Sequence, residues 1–262
     1  MTSTSANHSS SARLAGRTAV VTGSTSGIGA AIARTFAAEG AHVVVSGRDA
    51  ARGKTVVEEI RAVGGSADFV EADLAGSYDQ LRSFAADATS ALGGRVDILV
   101  NNAGLYPATA TADLADADLD AMLAVNIRAP HVLVAALAPA MAERGSGAIV
   151  NLGSWTAGVG TPYAAMYTAT KAADEQLTRA WAAEFGPRGV RVNSVSPGVT
   201  VTPGTEAGLE QLKAIAATTP AGVAVQPEDV AEAVLFLASD AATKIHGVTL
   251  LVDGGLATTR LS

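Results

Sequence analysis

Residues 22–29 read Thr22-Gly23-Ser24-Thr25-Ser26-Gly27-Ile28-Gly29. A short β-branched run, Thr18–Thr22, leads into them, and Gly27–Glu39 continues with apolar residues at i, i+4 and i+8, the spacing of a helix. Glycines let a strand turn sharply into a helix and let a phosphate approach the backbone. A plain βα turn would explain the glycines alone, but their place between a strand and a helix favours a phosphate site at the helix N-terminus.

Outward from this stretch, short apolar runs alternate with longer amphipathic ones. Such regular alternation predicts an α/β fold, a doubly wound parallel sheet of about seven strands with helices on both faces. We expect residues 13–262 to form a single domain and residues 1–12 a disordered tail. The predicted strands are 18–22, 42–46, 67–71, 97–101, 148–152, 190–196 and 248–252, and the predicted helices 27–39, 55–63, 77–92, 119–143, 163–185, 211–217 and 227–239.

Composition excludes several classes of protein. The chain has 262 residues and no cysteine, so disulfide scaffolds, thiolate metal sites and cysteine nucleophiles are excluded, and we expect no metal. A net charge of -7 argues against binding to a nucleic-acid backbone. The longest run without Asp, Glu, Lys or Arg, Gly145 to Thr170, contains several polar residues, so we expect no membrane span there.

Several separate motifs follow one another along the chain: Thr22-Gly23-x3-Gly27-Ile28-Gly29, Asp73-Leu74, Asn101-Asn102-Ala103-Gly104, Asn126, Ser154, Tyr167-x3-Lys171 and Pro197-Gly198. In this order they resemble the short-chain dehydrogenase/reductase family, in its single-domain, 3-oxoacyl-reductase-like branch. The resemblance covers nearly the whole chain after Ala15 and implies a Rossmann-type fold. It also implies an NAD(P)(H)-dependent oxidoreductase that transfers hydride between nicotinamide and a ketone or secondary alcohol.

Tyr167 and Lys171 are four residues apart in a predicted helix and therefore share a face. A tyrosine titrates near ~10 and must ionise about 2–3 units lower to act as an acid/base near neutrality. A nearby ammonium and the positive nicotinamide ring both favour the phenolate. Ser154, thirteen residues before Tyr167, matches the family's spacing and can donate a hydrogen bond to the substrate oxygen, although alone it could be a helix cap.

Asn126 is the fourth catalytic residue that the resemblance implies, holding a water chain to Lys171 through its main-chain carbonyl. Pro130, four residues later, has no N–H. The Asn126 carbonyl therefore lacks its normal helical partner, and we expect it to be free to accept a hydrogen bond from water.

The resemblance also implies the cofactor contacts. Asp73 and Leu74 would border the adenine, although Asp73 could be a helix cap. The main chain of Thr200 and the hydroxyl of Thr202 would orient the nicotinamide. The full set of predicted cofactor-binding residues is Gly23, Ser24, Thr25, Ser26, Gly27, Ile28, Gly29, Arg48, Asp73, Leu74, Asn102, Ala103, Gly104, Tyr167, Lys171, Pro197, Gly198, Thr200 and Thr202.

The second strand indicates which nicotinamide cofactor is preferred. NAD-dependent relatives carry an acidic residue at its end to bind the ribose 2′-hydroxyl, and Gly47 stands there in this chain. Arg48 follows, and a guanidinium can pair with a 2′-phosphate unless Asp49 neutralises it or it faces solvent. We therefore expect NADP(H) to be favoured, with NAD(H) possible.

The sequence says less about the substrate-binding residues than about the cofactor contacts. Tyr106, Trp155 and Tyr163 join Ser154 as candidates for the pocket, although each could equally be a packing residue. An alternative substrate is a 3-oxoacyl chain on an acyl carrier protein, for which Arg144 and Arg188 could form a basic patch. A cofactor-sensing binding protein is the non-enzyme alternative, but it would not need Ser, Tyr and Lys together.

The last predicted strand, Val248–Val252, and the following Asp253-Gly254-Gly255 resemble the segment that family members use in homotetramers. An apolar strand at a sheet edge needs a cover, which subunit association supplies. We therefore expect a homotetramer, located in the cytoplasm, that acts on a small-molecule carbonyl or alcohol.

Overall fold

A computed structural model describes residues 12–205 and 208–259. Its strands are β1 (Thr18–Val21), β2 (His42–Gly47), β3 (Ser66–Glu71), β4 (Ile98–Asn101), β5 (Gly147–Leu152), β6 (Val190–Pro197) and β7 (Thr249–Val252). Its α-helices are α1 (Gly27–Ala38), α2 (Ala50–Ala62), α3 (Tyr78–Ala91), α4 (Asp116–Leu123), α5 (Ala129–Glu143), α6 (Ala165–Phe185), α7 (Leu209–Ala217) and α8 (Pro227–Ala238).

The seven strands form one parallel sheet in the order β3-β2-β1-β4-β5-β6-β7, which confirms the predicted doubly wound fold. The chain builds outward from β1 to β3 and then returns to the other side of β1 with β4. Loops that follow β1 and β4 therefore diverge at the point where the order reverses. In open parallel sheets this switch point is where ligands bind.

The sheet is buried on both faces because its strands are apolar at consecutive positions. Val20 lies level with Val44 and Leu99, and all three pack toward α3, α5 and α6. Their neighbours Val21 and Val45 point the other way, toward the cluster that includes side chains of α1, α2 and α8. The inner strands are therefore rigid supports for the loops at their carboxyl ends.

Capping residues determine where several helices begin. Asp49 accepts the backbone N–H of Arg52 at 3.0 Å, so α2 begins at Ala50 and not at residue 55 as predicted from the apolar spacing. Ser77 and Gln80 form a capping box that starts α3. These polar caps satisfy backbone N–H groups that the first turn of a helix leaves unpaired.

Two other predicted helices differ from the structure. The predicted helix 119–143 begins at Asp116 and contains a π-helical segment, Ala124–Arg128, between α4 and α5. In this segment the Ala129 N–H bonds to the Ala124 carbonyl, five residues back. The predicted helix 163–185 begins only at Ala165, because Tyr163 has a positive φ of 63°, outside the helical region.

Two expectations concern parts of the chain outside the sheet. The predicted disordered tail lies outside the described residues except for Ala12. Within the described part, one helical run, Asp116–Glu143, is long and apolar enough to cross a membrane, with a mean hydropathy of 1.6. Since 61% of that window is buried inside the fold, the run packs as a core helix.

Candidate active site

A groove of about 910 Å³ opens at the switch point between β1 and β4. It brings together the loops that follow five strands, β1 to β4 and β6, at the edge where parallel strands present their carboxyl ends. Thirteen of the predicted cofactor-binding residues line it: Gly23, Thr25, Ser26, Gly27, Ile28, Gly29, Arg48, Asp73, Leu74, Asn102, Ala103, Gly104 and Thr202.

The floor of the groove is built by the glycine loop packed against the loop after β4. A Cβ on Gly23, whose φ is +63°, would lie 2.9 Å from Ala103 Cα. A Cβ on Gly29 would lie 2.4 Å from both Asn102 Nδ2 and the Gly23 carbonyl oxygen. Only glycine allows the two loops to approach this closely.

Hydrogen bonds join the same two loops. The Thr22 hydroxyl accepts the backbone N–H groups of Asn102 and Ala103, at 2.9 and 3.1 Å. The Asn102 amide donates in return to the carbonyls of Thr22 and Gly23. The Asn102 side chain therefore satisfies the main-chain carbonyls at the end of β1.

The N-terminus of α1 faces this groove. Ser26 stands at its N-cap position without a side-chain hydrogen bond to the first turn. Gly27, Ile28 and Gly29 then line the groove wall. Their N–H groups and the helix dipole favour an anion, so the residues present fit the pyrophosphate of a dinucleotide.

Ser24 is the predicted glycine-loop contact that the structure places elsewhere. It is fully buried, its hydroxyl donates to the Val21 carbonyl, and it accepts the Ser46 N–H. Its own N–H donates to the Ser46 carbonyl. Ser24 therefore fastens the loop to β2, and its polar groups are used within the protein.

The end of β2 presents two arginines to the groove. Arg48 is exposed in its wall, and within the described part of the chain no carboxylate pairs with it. Asp49, predicted as a possible neutralising partner, pairs with Arg52 at 2.7 Å. Arg52 also lines the groove, and sequence reasoning missed it because its position depends on where α2 begins.

Gly47 faces the glycine loop. A Cβ there would lie 2.8 Å from Thr25 Cγ2 and 3.2 Å from its hydroxyl oxygen. Thr25 therefore occupies the space that a longer side chain at position 47 would need. Asp73, on the other side of the groove, accepts the Ala75 N–H, while Ser77 caps α3, so Asp73 is not that helix cap.

Lys171 is buried beside the floor of the groove. Its Nζ donates to the Leu152 carbonyl at 2.5 Å and lies 4.0 Å from Asp174 Oδ2. A Cβ placed on Gly104 would be 3.7 Å from this Nζ and 3.6 Å from Asn126 Oδ1. Gly104 therefore lies between the groove and the side chains of Lys171 and Asn126, two of the predicted catalytic residues.

The Asn126 side chain is fully engaged. Its oxygen accepts the Leu105 N–H at 2.8 Å, and its amide donates to the Leu105 carbonyl and to the Thr170 hydroxyl. These bonds hold the loop after β4 against α6. That the main-chain carbonyl of Asn126 is free to accept a hydrogen bond from water stays a prediction. Asn126 lies in the π-helical segment.

Ser154 stands at the carboxyl end of β5, at the N-cap of a short 3₁₀ helix. Its Oγ accepts the Thr156 N–H at 3.2 Å and lies 2.9 Å from Thr156 Oγ1. The capping role is therefore real, and it holds Ser154 Oγ in one place. The O–H of Ser154 can donate to Thr156 Oγ1 or to a substrate oxygen.

Tyr167 and Tyr106 meet edge to face, with ring centroids 6.4 Å apart. Tyr106 is half exposed, lines the groove and has a pKa raised by partial burial, with Tyr167 as the smaller cause. A Cβ on Gly204 would lie 2.2 Å from the Tyr106 hydroxyl oxygen. Tyr106 therefore touches the loop after β6 as well as Tyr167.

Not every predicted contact lies in the groove wall. Trp155 is partly buried, and Tyr163 is 66% exposed in the turn before α6; neither lines the groove. Pro197 ends β6, and Gly198 donates to the Val252 carbonyl. Thr200 is buried and bridges to Val225, so of the predicted segment 197–202 only Thr202 reaches the groove.

Comparison with known proteins gives concordant matches over most of the chain. A family model described as "Enoyl-(Acyl carrier protein) reductase" matches residues 23–257. The cyclopentanol dehydrogenase of Comamonas sp. is 37% identical over 246 residues, covering 93% of this chain and 98% of that protein. The 3-oxoacyl-[acyl-carrier-protein] reductase FabG of Thermotoga maritima is 34% identical, covering 93% and 99%.

Solved structures agree with these matches. A short chain dehydrogenase/reductase family protein is 51% identical, with a TM-score of 0.86, and covers 94% of this chain and 100% of its own. A gluconate 5-dehydrogenase from Burkholderia cenocepacia J2315, in complex with NADP and tartrate, is 34% identical, with a TM-score of 0.88 and coverages of 95% and 98%.

Proposed function

The chain belongs to the short-chain dehydrogenase/reductase family, and from this premise we propose that Ser154, Tyr167 and Lys171 carry its chemistry, with Asn126 behind them. The protein is an oxidoreductase that acts on the CH–OH group of an alcohol, or on the ketone in reverse, with a nicotinamide cofactor. The observation that carries this assignment is the position of Lys171. It lies on the same helix as Tyr167, and its buried ammonium lies against Gly104.

Each side chain has one task. The nicotinamide, when bound, supplies or accepts the hydride. Tyr167 gives a proton to the ketone oxygen in reduction and takes it from the alcohol in oxidation. Lys171 stabilises the phenolate electrostatically, and Ser154 donates to the substrate oxygen while negative charge develops on it. The Asn126 carbonyl holds water that connects Lys171 to solvent.

The cofactor preference we propose is NADP(H). Arg48 lies in the groove wall and pairs with no carboxylate among the described residues. Arg52 and Asp49 also line this wall, but they pair with each other, so Arg48 carries the unopposed positive charge. Gly47 offers no carboxylate for a ribose diol, and Thr25 fills the space that one would need. Cations without an opposing carboxylate favour the 2′-phosphate.

We propose a small ketone or secondary alcohol as substrate, the class named in relatives such as cyclopentanol dehydrogenase. Tyr106, half exposed in the groove wall beside Tyr167, supplies an apolar surface for it. The carrier-protein alternative is less favoured, since both arginines invoked for it have other contacts. Arg144 donates to the Val96 carbonyl, and Arg188 stacks on Phe185.

A homotetramer in the cytoplasm completes the proposal. β7 is an edge strand, and Leu251 on it and Val248 beside it are 37% and 38% exposed. A second copy would cover this apolar edge. The absence of cysteine is compatible with a reducing compartment. Light scattering that reports a stable monomer at micromolar concentration would contradict the tetramer.

The test of the chemistry uses Tyr167→Phe, with Tyr78→Phe, on an exposed tyrosine of α3, as the matched control. NADP reduction is followed over a panel of secondary alcohols, and NADPH oxidation over the corresponding ketones. We expect Tyr167→Phe to lower kcat by about 10²–10⁴-fold, because only the proton-transfer group is lost. Cofactor Kd, measured by NADPH fluorescence, should stay within about twofold. Near-normal turnover of Tyr167→Phe would overturn the assignment.

A further inference from the structure

Asp174 is a buried carboxyl group that the proposed chemistry does not use. It lies on α6, one turn beyond Lys171, and only 2% of it is exposed. Its Oδ2 is 4.0 Å from Lys171 Nζ, and its Oδ1 is buried without a hydrogen bond to any described residue. A carboxylate in such surroundings keeps its charge only with an opposing charge nearby.

Two charged groups, Lys171 and Glu175, act on Asp174. The pKa of Asp174 is raised to about 7, with burial as the largest cause, while Lys171 lowers it and Glu175 raises it. From β5, the Asn151 amide donates to the Thr178 hydroxyl, which donates to the main-chain carbonyl of Asp174. From α5, the His131 ring packs against Trp181 of α6, with ring centroids 6.4 Å apart.

Asp174, Lys171 and Tyr167 follow one another along the same helix at intervals of three and four residues, so they share a face. Lys171 lies between the other two and is held on a third side by the Leu152 carbonyl. A negative charge on Asp174 therefore attracts the Lys171 ammonium, the same group whose positive charge acts on Tyr167.

We propose that Asp174 is a positioning residue for Lys171, which holds the ammonium in place and whose charge sets how strongly that ammonium favours the Tyr167 phenolate. The inference rests on the proposed function, since it assigns Lys171 and Tyr167 the roles given above. When Asp174 is neutral, Lys171 acts on Tyr167 with its full charge. When Asp174 loses its proton to solvent, its negative charge offsets part of that effect.

The size of the effect follows from helix geometry. Asp174 and Tyr167 are seven residues apart, which is about 10 Å along a helix. Two unit charges at that separation, in a medium of effective dielectric about 20, shift each other's titration by about one pH unit. Activity in alcohol oxidation should therefore depend on the charge of Asp174 through the pH profile.

The experiment compares wild type with Asp174→Asn, which keeps the shape of the side chain and removes its charge. Glu184→Gln, at an exposed site on the same helix, is the matched control for loss of a carboxylate. We expect Asp174→Asn to move the acidic limb of the kcat profile for alcohol oxidation down by about one pH unit. Glu184→Gln should leave it unchanged. Asp174→Leu, which cannot hold the ammonium, should lower kcat about tenfold and weaken cofactor binding.

A second readout needs no turnover. Tyrosinate formation is followed by ultraviolet difference absorbance in the enzyme with NADP bound, and the signal of Tyr167→Phe is subtracted. The midpoint of the remaining titration should shift down in Asp174→Asn by the same amount as the kcat profile. If Asp174→Asn does not fold, Asp174→Glu is measured instead. Its carboxylate keeps the charge but is displaced from Lys171, so kcat should fall while its pH dependence is kept.

Two results overturn the proposal. One is an unchanged tyrosinate midpoint in Asp174→Asn together with unchanged kcat in Asp174→Leu. The other, if Asp174→Asn does not fold, is wild-type kcat in Asp174→Glu. Failure of the proposed function looks different, because Tyr167→Phe would then retain turnover whatever Asp174 does.

Discussion

The two halves of the active site are built differently. The cofactor half, around the glycine loop and the loop after β4, is closed by backbone contacts and by the hydrogen bonds of Thr22 and Asn102. The substrate half, around the loops after β5 and β6, presents the exposed Tyr163, and Tyr106 reaches this half from the loop after β4. A Cβ on Gly158 or Gly160 would meet nothing within 4 Å.

This difference shows which part of the site tolerates change. In the cofactor half, neighbouring backbones meet at distances that allow only one residue type, so the shape is fixed by the fold. In the substrate half, side chains project into open space, and their replacement alters what is bound without disturbing the sheet. Packing therefore fixes the shape of the proposed cofactor groove, while exposed loops surround the proposed substrate side.

Lys171 joins the two halves, so its loss should have the largest effect. We expect Lys171→Ala to lower kcat by about 10²–10⁴-fold and also to weaken cofactor binding, because the buried ammonium lies against Gly104 and, in the proposed chemistry, stabilises the Tyr167 phenolate. Steady-state kinetics and NADPH fluorescence measure the two effects. Lys213→Ala, at an exposed pair with Glu210, is the control. Loss of turnover with unchanged cofactor affinity would place Lys171 in the substrate half alone.

The contrast between the halves can be tested directly with two glycines. Gly29→Ala should cost about 1–3 kcal/mol of unfolding free energy, because its Cβ would overlap Asn102 and the Gly23 carbonyl. Gly158→Ala should leave stability within about 0.5 kcal/mol, as at other open surface sites. Denaturant unfolding and cofactor Kd are measured for both variants. Equal destabilisation would show that the two halves are packed alike.

The preference for NADP over NAD tests the role of Arg48 in the groove wall at the end of β2. Arg48→Ala should weaken NADP binding by roughly ten- to hundredfold and leave NAD binding nearly unchanged, since a charged pair contributes about 1–3 kcal/mol. Added salt should reduce the preference of wild type for NADP. An equal effect of Arg48→Ala on both cofactors would place Arg48 on the adenine or in solvent.

Reversing that preference requires two changes. Gly47→Asp alone should bind both cofactors poorly, because its Cβ would lie 2.8 Å from Thr25 Cγ2. Adding Thr25→Ala should relieve the overlap and give a preference for NAD, because the new carboxylate repels a 2′-phosphate. Titration of each variant with NAD and NADP decides between these outcomes. If Gly47→Asp alone prefers NAD with normal affinity, Thr25 does not limit the site.

The smallest expected effect concerns an ion pair outside the groove, which joins the N-terminal segment to the C-terminal end of α1. Arg13 contacts Glu39 through its side chain at 2.8 Å and its backbone N–H at 2.7 Å, and these bonds lower the pKa of Glu39. Since the folded-state pKa is depressed, the stabilisation is complete above the unfolded value near ~4.3 and is lost as pH falls through the folded value.

Glu39→Gln should therefore cost about 0.5–1 kcal/mol at pH 7, as for a partly exposed pair. The difference from wild type should vanish at acid pH. Thermal unfolding of both proteins between pH 2 and pH 7 measures it. A difference that is constant over this range would mean that the pair acts through packing and not through charge.

The sequence alone determined the sheet and the identity of the chemical groups. Alternating apolar runs, the glycine stretch before α1 and the Tyr167–Lys171 spacing are local patterns, and each follows from the geometry of one strand or helix. The structure confirms the predicted parallel fold and brings thirteen predicted cofactor residues into one groove.

Only the tertiary structure decided which polar groups face the groove. Ser24 is buried and hydrogen-bonded to β2, and Asp49 pairs with Arg52 and not with Arg48. Tyr163 lies outside α6 because of its positive φ. The tertiary structure also placed Asp174 beside Lys171, away from solvent. Ser24 has its partner on a different strand, and even the local pairs Asp49–Arg52 and Lys171–Asp174 depend on which neighbouring groups compete for each partner. Because that competition is settled only when strands and helices pack, spacing along the sequence cannot express it.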